Sequence, residues 1–252
     1  MNKPVTITFL ANAGLLLQYD GHALLLDALQ KSEATPFSPL PAALEGELFR
    51  GGTPLSDADA LLFTHLHPDH FSAGLTLQYM ERWPRSMLLL PNACGDPCFD
   101  AAAAQAGTRL ISFPPSAECA RFNLTPNISV FAFATRHLGK QYHRVPHICY
   151  LLCVGEKNIL ITGDIDYTFE SLHQLDGVPL HAAFVTPLFF SALRRGRFFK
   201  GTLEATHICV YHIPFEADDQ FQVRRSLHRD LSLWQGQSQV IALKQPCQAL
   251  TL

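Results

Sequence analysis

The chain has 252 residues, 48% of them hydrophobic, which is enough apolar material for a sizeable core. A formal net charge of −3 excludes a broadly basic surface of the kind that grips nucleic acid through its phosphates. No run approaches the ~18 apolar residues of a membrane span, and the opening MNKPVTITFLANAG enters a strand pattern directly. A cytoplasmic protein with neither membrane nor nucleic-acid partners is expected.

The opening reads as strands over 5–10, 15–19 and 22–26, with Asp20-Gly21 as the hairpin turn between the last two. Asp27 then falls at a strand end. Residues 31–56, rich in Pro and Ser, read as a flap or lid carrying one short helix over 42–49. A buried strand over 60–63 leads into THLHPDHFSAG. A helix (75–82), a strand (86–90), an alanine-rich helix (99–106) stopped by Gly107, and a strand (109–113) follow. The second half repeats this style, with strands over 128–134, 148–154, 158–162, 182–185 and 208–211. Its helices are expected over 167–174 and 218–234, the latter with Phe221, Val223, Leu227, Leu231 and Trp234 as its apolar stripe. Alternating strands and helices indicate an α/β protein, and with no interdomain linker residues 1–252 are read as one domain.

Seven cysteines, several of them in apparent strands (Cys149, Cys153, Cys209), read as buried free thiols. Cys94 and Cys98 are the one close pair that could form a clip. A structural zinc there would need two more ligands than the surrounding sequence offers.

The chemistry concentrates in His65-Leu66-His67-Pro68-Asp69-His70. Imidazoles two apart in an extended segment can turn toward one ion, Pro68 favours an extended or turn conformation before it, and Asp69 and His70 add a second ligand pair. Three later strand ends each finish in a potential ligand: His137 in ATRHLG, Asp164 in LITGDIDY and His212 in VYHIP. Any one of them alone would be an ordinary cap or loop residue.

Taken in order, these seven residues resemble the full ligand set of the metallo-β-lactamase superfamily. The resemblance runs from the opening strands to the helix after His212. It implies a four-layer αββα sandwich of two similar halves, with the metal centre where strand ends meet. It places His65, His67 and His137 on a first ion and Asp69, His70 and His212 on a second, with Asp164 bridging, and assigns catalysis to Asp69, Asp164 and His212. Asp27 matches the family's aspartate after the early strand, which orients a site residue from behind. Two divalent ions are implied as cofactors, zinc first, with manganese or iron also suited to His and Asp ligands. A hydroxide shared by both would be the nucleophile.

Among the branches of that superfamily, the chain is similar to small stand-alone bacterial hydrolases such as L-ascorbate-6-phosphate lactonase and phosphodiesterases. His67 stands where the flavo-diiron branch carries a glutamate, and no inserted nuclease domain is present. Arg136, Lys140, His143 and Arg144 around His137, and Arg194, Arg195 and Arg197 in FFSALRRGRFFK, are candidate contacts to an anionic small-molecule substrate. The second segment reads equally as a solvated loop or as a contact in a homo-oligomer. His143 and His147 flank a strand and are open as extra site residues, but His147, with His22, His173, His181, His207 and His228, reads first as a structural histidine with its hydrogen bonds satisfied. The expected function is hydrolysis of a small anionic ester, lactone or phosphodiester. The alternatives are a mononuclear iron oxygenase similar to the persulfide dioxygenases and a metal-binding protein without turnover.

Overall fold

The computed structural model describes residues 3–31, 37–114, 119–167, 172, 175–196 and 203–252. The strands over these residues form two sheets of seven. The first contains β1 (Thr6–Ala11), β2 (Gly14–Tyr19), β3 (His22–Leu26), β4 (Ala60–Leu62), β5 (Met87–Pro91), β6 (Leu110–Phe113) and β14 (Ala249–Thr251). The second contains β7 (Ala120–Thr125), β8 (Ile128–Thr135), β9 (His147–Val154), β10 (Lys157–Ile161), β11 (Leu180–Val185), β12 (Ala205–Val210) and β13 (Gln239–Ala242).

Each sheet begins as an antiparallel meander and continues with three parallel strands. The first meander is β1-β2-β3, followed by β4, β5 and β6, with β14 added beside β1. The second is β7-β8-β9-β10, followed by β11, β12 and β13. The hairpin at Asp20-Gly21 has positive φ at both residues, 53° and 84°, the combination a tight two-residue turn requires.

Near-continuous apolar strands such as HALLL and MLLLP arise because each sheet is covered on both faces. Leu24 and Leu26 point between the sheets, where they join Leu62, Tyr150, Ile159, Phe184 and Tyr211 in one central layer. Leu25, one residue out of step, packs outward with Leu61 and Leu88 against α1 (Ala42–Phe49), α2 (Ala73–Arg82) and α3 (Pro97–Ala106). On the far side Ala183, Val185, Ile208 and Val210 pack against α4 (Pro187–Arg194) and α5 (Val223–Ser232) through Phe189, Phe190 and Leu227. The result is the four-layer αββα sandwich that the resemblance implies.

The helices start where their caps dictate. Asp96 accepts hydrogen bonds from Cys98 N (2.8 Å) and Phe99 N (3.2 Å) at the head of α3, with Pro97 in the first turn and Gly107, at φ 53°, closing the last. The expected single helix over 218–234 is corrected. A short 3₁₀ turn, Glu216–Asp218, comes first, and α5 begins only at Val223. Gln222 sits in the left-handed region at φ 54°, which interrupts a right-handed helix, and the Asp219 carboxylate accepts from Val223 N (2.7 Å) and Arg224 N (3.0 Å) as the cap. Phe221 therefore lies off the apolar stripe and is 70% exposed. Most of the helix expected over 167–174 lies outside the described residues. Strands β7, β13 and β14 and the helix α4 were not anticipated. All seven cysteines are free, with Cys94 and Cys98 exposed and Cys149 and Cys209 buried.

Candidate metal centre

Every candidate ligand lies on a loop that leaves the carboxyl end of a strand, or on the turn that follows one. β4 ends into Thr64 and His65, and the chain then turns at Pro68. His70 N and Phe71 N both donate to His67 O at 2.9 Å, and this folds His67, Asp69 and His70 back over the strand end. His137 follows β8 and forms an isolated bridge with Ile165, while Leu138 N donates to Asp164 O (2.8 Å). The loops that carry His137 and Asp164 are thus joined by backbone hydrogen bonds. His212 follows β12 at φ 57°, and its N–H donates to Asn12 O (2.8 Å) in the β1–β2 turn.

The seven residues converge as two sets. In the first, His65, His67 and His137 bring one ligand atom each within 4.8 Å of one another, and in the second Asp69, His70, Asp164 and His212 do the same. Within the sets the closest approaches are His65 Nε2 to His137 Nε2 at 3.3 Å, His70 Nε2 to His212 Nε2 at 3.2 Å and His212 Nε2 to Asp69 Oδ2 at 3.2 Å. Ligand atoms about 2.0–2.1 Å from a tetrahedral zinc would be about 3.3–3.4 Å apart, so these separations match the edges of such a site. Asp164 Oδ2 faces both sets, 3.8 Å from His137 Nε2 and 3.7 Å from His70 Nε2. Its other oxygen, Oδ1, is buried without a hydrogen-bond partner.

The outer nitrogens show which lone pairs face inward. Asp27 is fully buried; its Oδ1 accepts from Thr64 N (2.8 Å) and its Oδ2 from Thr64 Oγ1 (2.8 Å) and His70 Nδ1 (3.0 Å). Because the Thr64 hydroxyl donates to Asp27, its oxygen is free to accept from His65 Nδ1 (3.1 Å). His137 Nδ1 donates to Leu138 O (2.7 Å). With Nδ1–H held in this way, each neutral ring presents the Nε2 lone pair to the cluster. Converging imidazole nitrogens beside a buried carboxylate oxygen that makes no hydrogen bond form a donor set suited to positive charge. The residues present therefore fit divalent ions.

The electrostatics divide along the same line. Burial, reinforced by neighbouring imidazoles, holds His65 well below the usual histidine range and lowers His67 and His137. For His70, burial acts in the same direction, but Asp69, Asp27 and Asp164 together outweigh it and raise the pKa well above the ordinary value. At His212 the same contest, won by Asp164 and Asp69, also ends in a raised pKa. Asp69 is pushed down to about 2 as His70 and His212 overcome its burial, and Asp164 is lowered further by His212, His70 and His137. The second set thus pairs ionised carboxylates with histidines that favour a proton, while the first is made of imidazoles that favour the neutral form.

Several neighbours carried no recognisable signal in the sequence. Asn12 Nδ2 donates to Asp69 O (2.8 Å) and Asp69 Oδ2 (3.2 Å). Thr64 ties Asp27 to His65, and Tyr150 OH donates to Phe63 O (2.8 Å) just before it. The Tyr142 ring stands 5.0 Å from His67 and 5.1 Å from His137, and the Phe37 ring stands 5.3 Å from His212, so an aromatic wall flanks each set. The expectation for His147 is corrected. Its Nδ1 meets Thr135 Oγ1 at 2.6 Å, but its Nε2 is buried without a partner, and the ring lies 5.2 Å from His65. His22, His181 and His207 do have hydrogen-bond partners, and His173 lies outside the described residues.

The cations anticipated for substrate binding are spread over two regions. Arg136 pairs with Asp166 at 2.7 Å, and His143 Nε2 is 3.7 Å from the same carboxylate. Lys140 and Arg144 are exposed on the segment that places Tyr142 beside His137. Arg194 and Arg195 are not brought to the cluster. α4 connects β11 to its parallel neighbour β12, so it runs back from the metal edge over about 12 Å, and they stand at its far end. Arg194 there pairs with Asp230 of α5 at 2.7 Å. Arg197 lies outside the described residues.

No family model matches the chain, and no curated protein matches its sequence. Solved structures do match. Igni18, a metallo hydrolase from the archaeon Ignicoccus hospitalis, is 13% identical over 99% of this chain and 98% of its own, with a TM-score of 0.62. CmlA, a diiron β-hydroxylase from Streptomyces venezuelae, is 13% identical over all of this chain and 54% of its own, with a TM-score of 0.59. A member of the metallo-β-lactamase superfamily from Thermotoga maritima is 11% identical over 95% of this chain and 98% of its own, with a TM-score of 0.51. Two sheets covered by helices, a His and Asp cluster at their strand ends and these likenesses lead to one conclusion: the chain has the metallo-β-lactamase fold.

Proposed function

We propose that the protein is a dinuclear metal-dependent hydrolase acting on a small anionic ester, lactone or phosphodiester. The observation that carries this reading is the meeting of a three-histidine set and an Asp-His-Asp-His set with Asp164 facing both. His65, His67 and His137 would hold one divalent ion, and Asp69, His70 and His212 the other. Such ions lower the pKa of a water toward neutrality and polarise a carbonyl or phosphoryl oxygen.

The chain's own residues supply the rest. Asp27 and Thr64 fix the rings of His70 and His65, so the ligand atoms need no rearrangement when an ion enters. Asp164 would offset the charge of ions held by the two sets, and full burial of His65 and His70 keeps bulk water off the inner face of the site. Lys140 and Arg144, exposed on the segment that carries Tyr142, would hold a substrate phosphate or carboxylate by charge-assisted hydrogen bonds. Asp69, with its pKa near 2, is ionised throughout the neutral range and accepts a hydrogen bond or a cation, not a proton.

The test is a panel of phosphate- or carboxylate-bearing esters, lactones and phosphodiesters beside neutral counterparts, assayed before chelation, after it, and after zinc or manganese is restored. The expected result is turnover of a charged member that chelation abolishes and metal restores. Turnover unaffected by chelation refutes the reading. The likeness to a diiron β-hydroxylase favours a second reading, an iron oxygenase on the same scaffold. It predicts oxygen uptake with iron and no hydrolysis with zinc.

A further inference from the structure

Three buried segments that are remote in sequence meet at one side chain, that of Asn12, which is 1% exposed. It occupies the short turn between β1 and β2 at φ 50°, a left-handed conformation that asparagine tolerates better than most residues. Its Nδ2 donates to the backbone carbonyl of Asp69 at 2.8 Å and approaches Asp69 Oδ2 at 3.2 Å and His212 Nε2 at 3.4 Å. Its own carbonyl accepts from His212 N at 2.8 Å. Both residues it touches belong to the Asp-His-Asp-His set, and no hydrogen bond joins it to His65, His67 or His137.

We infer that Asn12 is a positioning residue for the second metal ion alone, its carboxamide holding the Asp69 carboxylate and its backbone carbonyl the His212 backbone at the spacing that ion requires. The inference rests on the two-ion reading above. An N–H on one lone pair of Asp69 Oδ2 leaves the remaining carboxylate lone pairs for an ion, the usual way in which a neighbour orients a ligating oxygen. The bond to Asp69 O matters as much. His70, next in the chain, is already held from behind by Asp27, whereas the Asp69 carboxylate meets Asn12 and the ligand His212, of which only Asn12 remains to orient it once His212 turns to an ion. His212 has the converse need. It sits at φ 57° on a loop after β12, and its backbone is tied to the β1–β2 turn through Asn12. The first set shares none of these bonds, so loss of the carboxamide acts on one ion and spares the other.

The experiment uses full-length ion-free protein titrated with zinc, with thermal melting of the ion-free form alongside. The variant is Asn12→Gly, because glycine keeps the positive φ while deleting the carboxamide. Asn12→Ser, whose hydroxyl is too short to reach Asp69, is the second variant should glycine loosen the turn. Wild-type protein is expected to bind two ions. Each variant is expected to keep the tighter or three-histidine ion at wild-type affinity and to bind the other about 10- to 100-fold more weakly, the usual effect of removing a ligand's orienting partner. Two ions bound as tightly as in the wild type overturn the role of Asn12 while leaving the two-ion reading intact. Equal weakening of both ions also overturns it, because Asn12 would then support only the fold. A wild-type protein that takes one ion refutes the two-ion reading itself, and the role of Asn12 with it.

Discussion

Gly163→Ala would place a single methyl group where the structure leaves no room for it. Gly163 precedes Asp164 at φ 54°, and its N–H donates to Tyr211 OH at 3.0 Å. A Cβ at this position would lie 2.7 Å from both Cβ and Oγ1 of Thr64 and 2.9 Å from His147 Nε2. Non-bonded carbon contacts sit at about 3.5–4.0 Å, so these groups must retreat by on the order of 1 Å. The left-handed backbone costs about 1–2 kcal/mol for a residue with a Cβ, and overpacking adds about 1–3 kcal/mol. A total of about 2–5 kcal/mol in a chain of this size lowers the melting temperature by roughly 4–20 °C.

The displacement also has a direction. Thr64 Oγ1 donates to Asp27 Oδ2, which accepts from His70 Nδ1, so moving Thr64 turns a ligand of the second set while Asp164 moves with its own backbone. Metal affinity should therefore fall about 10- to 100-fold along with stability. Thermal melting of the ion-free protein and a zinc titration measure the two effects. A variant that melts within about 1 °C of the wild type and binds metal equally well refutes the packing argument.

Asp164→Asn is expected to fold, by circular dichroism, yet to bind two ions weakly and turn over slowly, because a neutral amide cannot offset two cations. Wild-type turnover at wild-type metal content would reduce Asp164 to a loop residue. Lowering the pH from 8 to 6 should weaken the second ion much more than the first. His70 and His212 have raised pKa values, so protons compete with an ion for them more strongly than at His65, His67 and His137, whose values are lowered. Equal pH dependence of both ions, measured by titration, contradicts this. Removing charge at Lys140 and Arg144 together should raise KM for a charged substrate several-fold more than it lowers kcat, with turnover efficiency less sensitive to salt than in the wild type. An unchanged KM would place anion binding elsewhere.

Much of this arrangement could be read in the sequence because it depends on local patterns. The helix expected over 42–49 and the strand over 22–26 have the bounds found, since turn residues and apolar runs mark both ends. The seven His and Asp residues stood out because each follows an apolar strand, and in parallel strands those ends share one edge. What could not be read depends on partners far apart in the chain. Asn12 is an unremarkable turn residue until the fold brings Asp69 and His212, 57 and 200 positions away, to within 3.4 Å of its amide. The cations near 136 and 194 formed visible clusters, yet Asp166 and Asp230, 30 and 36 residues further on, pair with Arg136 and Arg194. His147 looked like an ordinary strand residue because nothing local reveals that β9 runs behind His65. The last long helix was overextended because its apolar spacing continues through Gln222, where the backbone turns left-handed.

The central claim is that two ions share Asp164, and the most direct test is a crystal structure of zinc-loaded protein with anomalous data collected at the zinc edge. Two peaks are expected, about 3.5–4 Å apart. One should lie against the Nε2 atoms of His65 and His137 together with His67, the other among Asp69, His70 and His212, with an oxygen of Asp164 between them. A single peak on the three histidines, with Asp69 and His212 still hydrogen-bonded to each other and to Asn12, would contradict it.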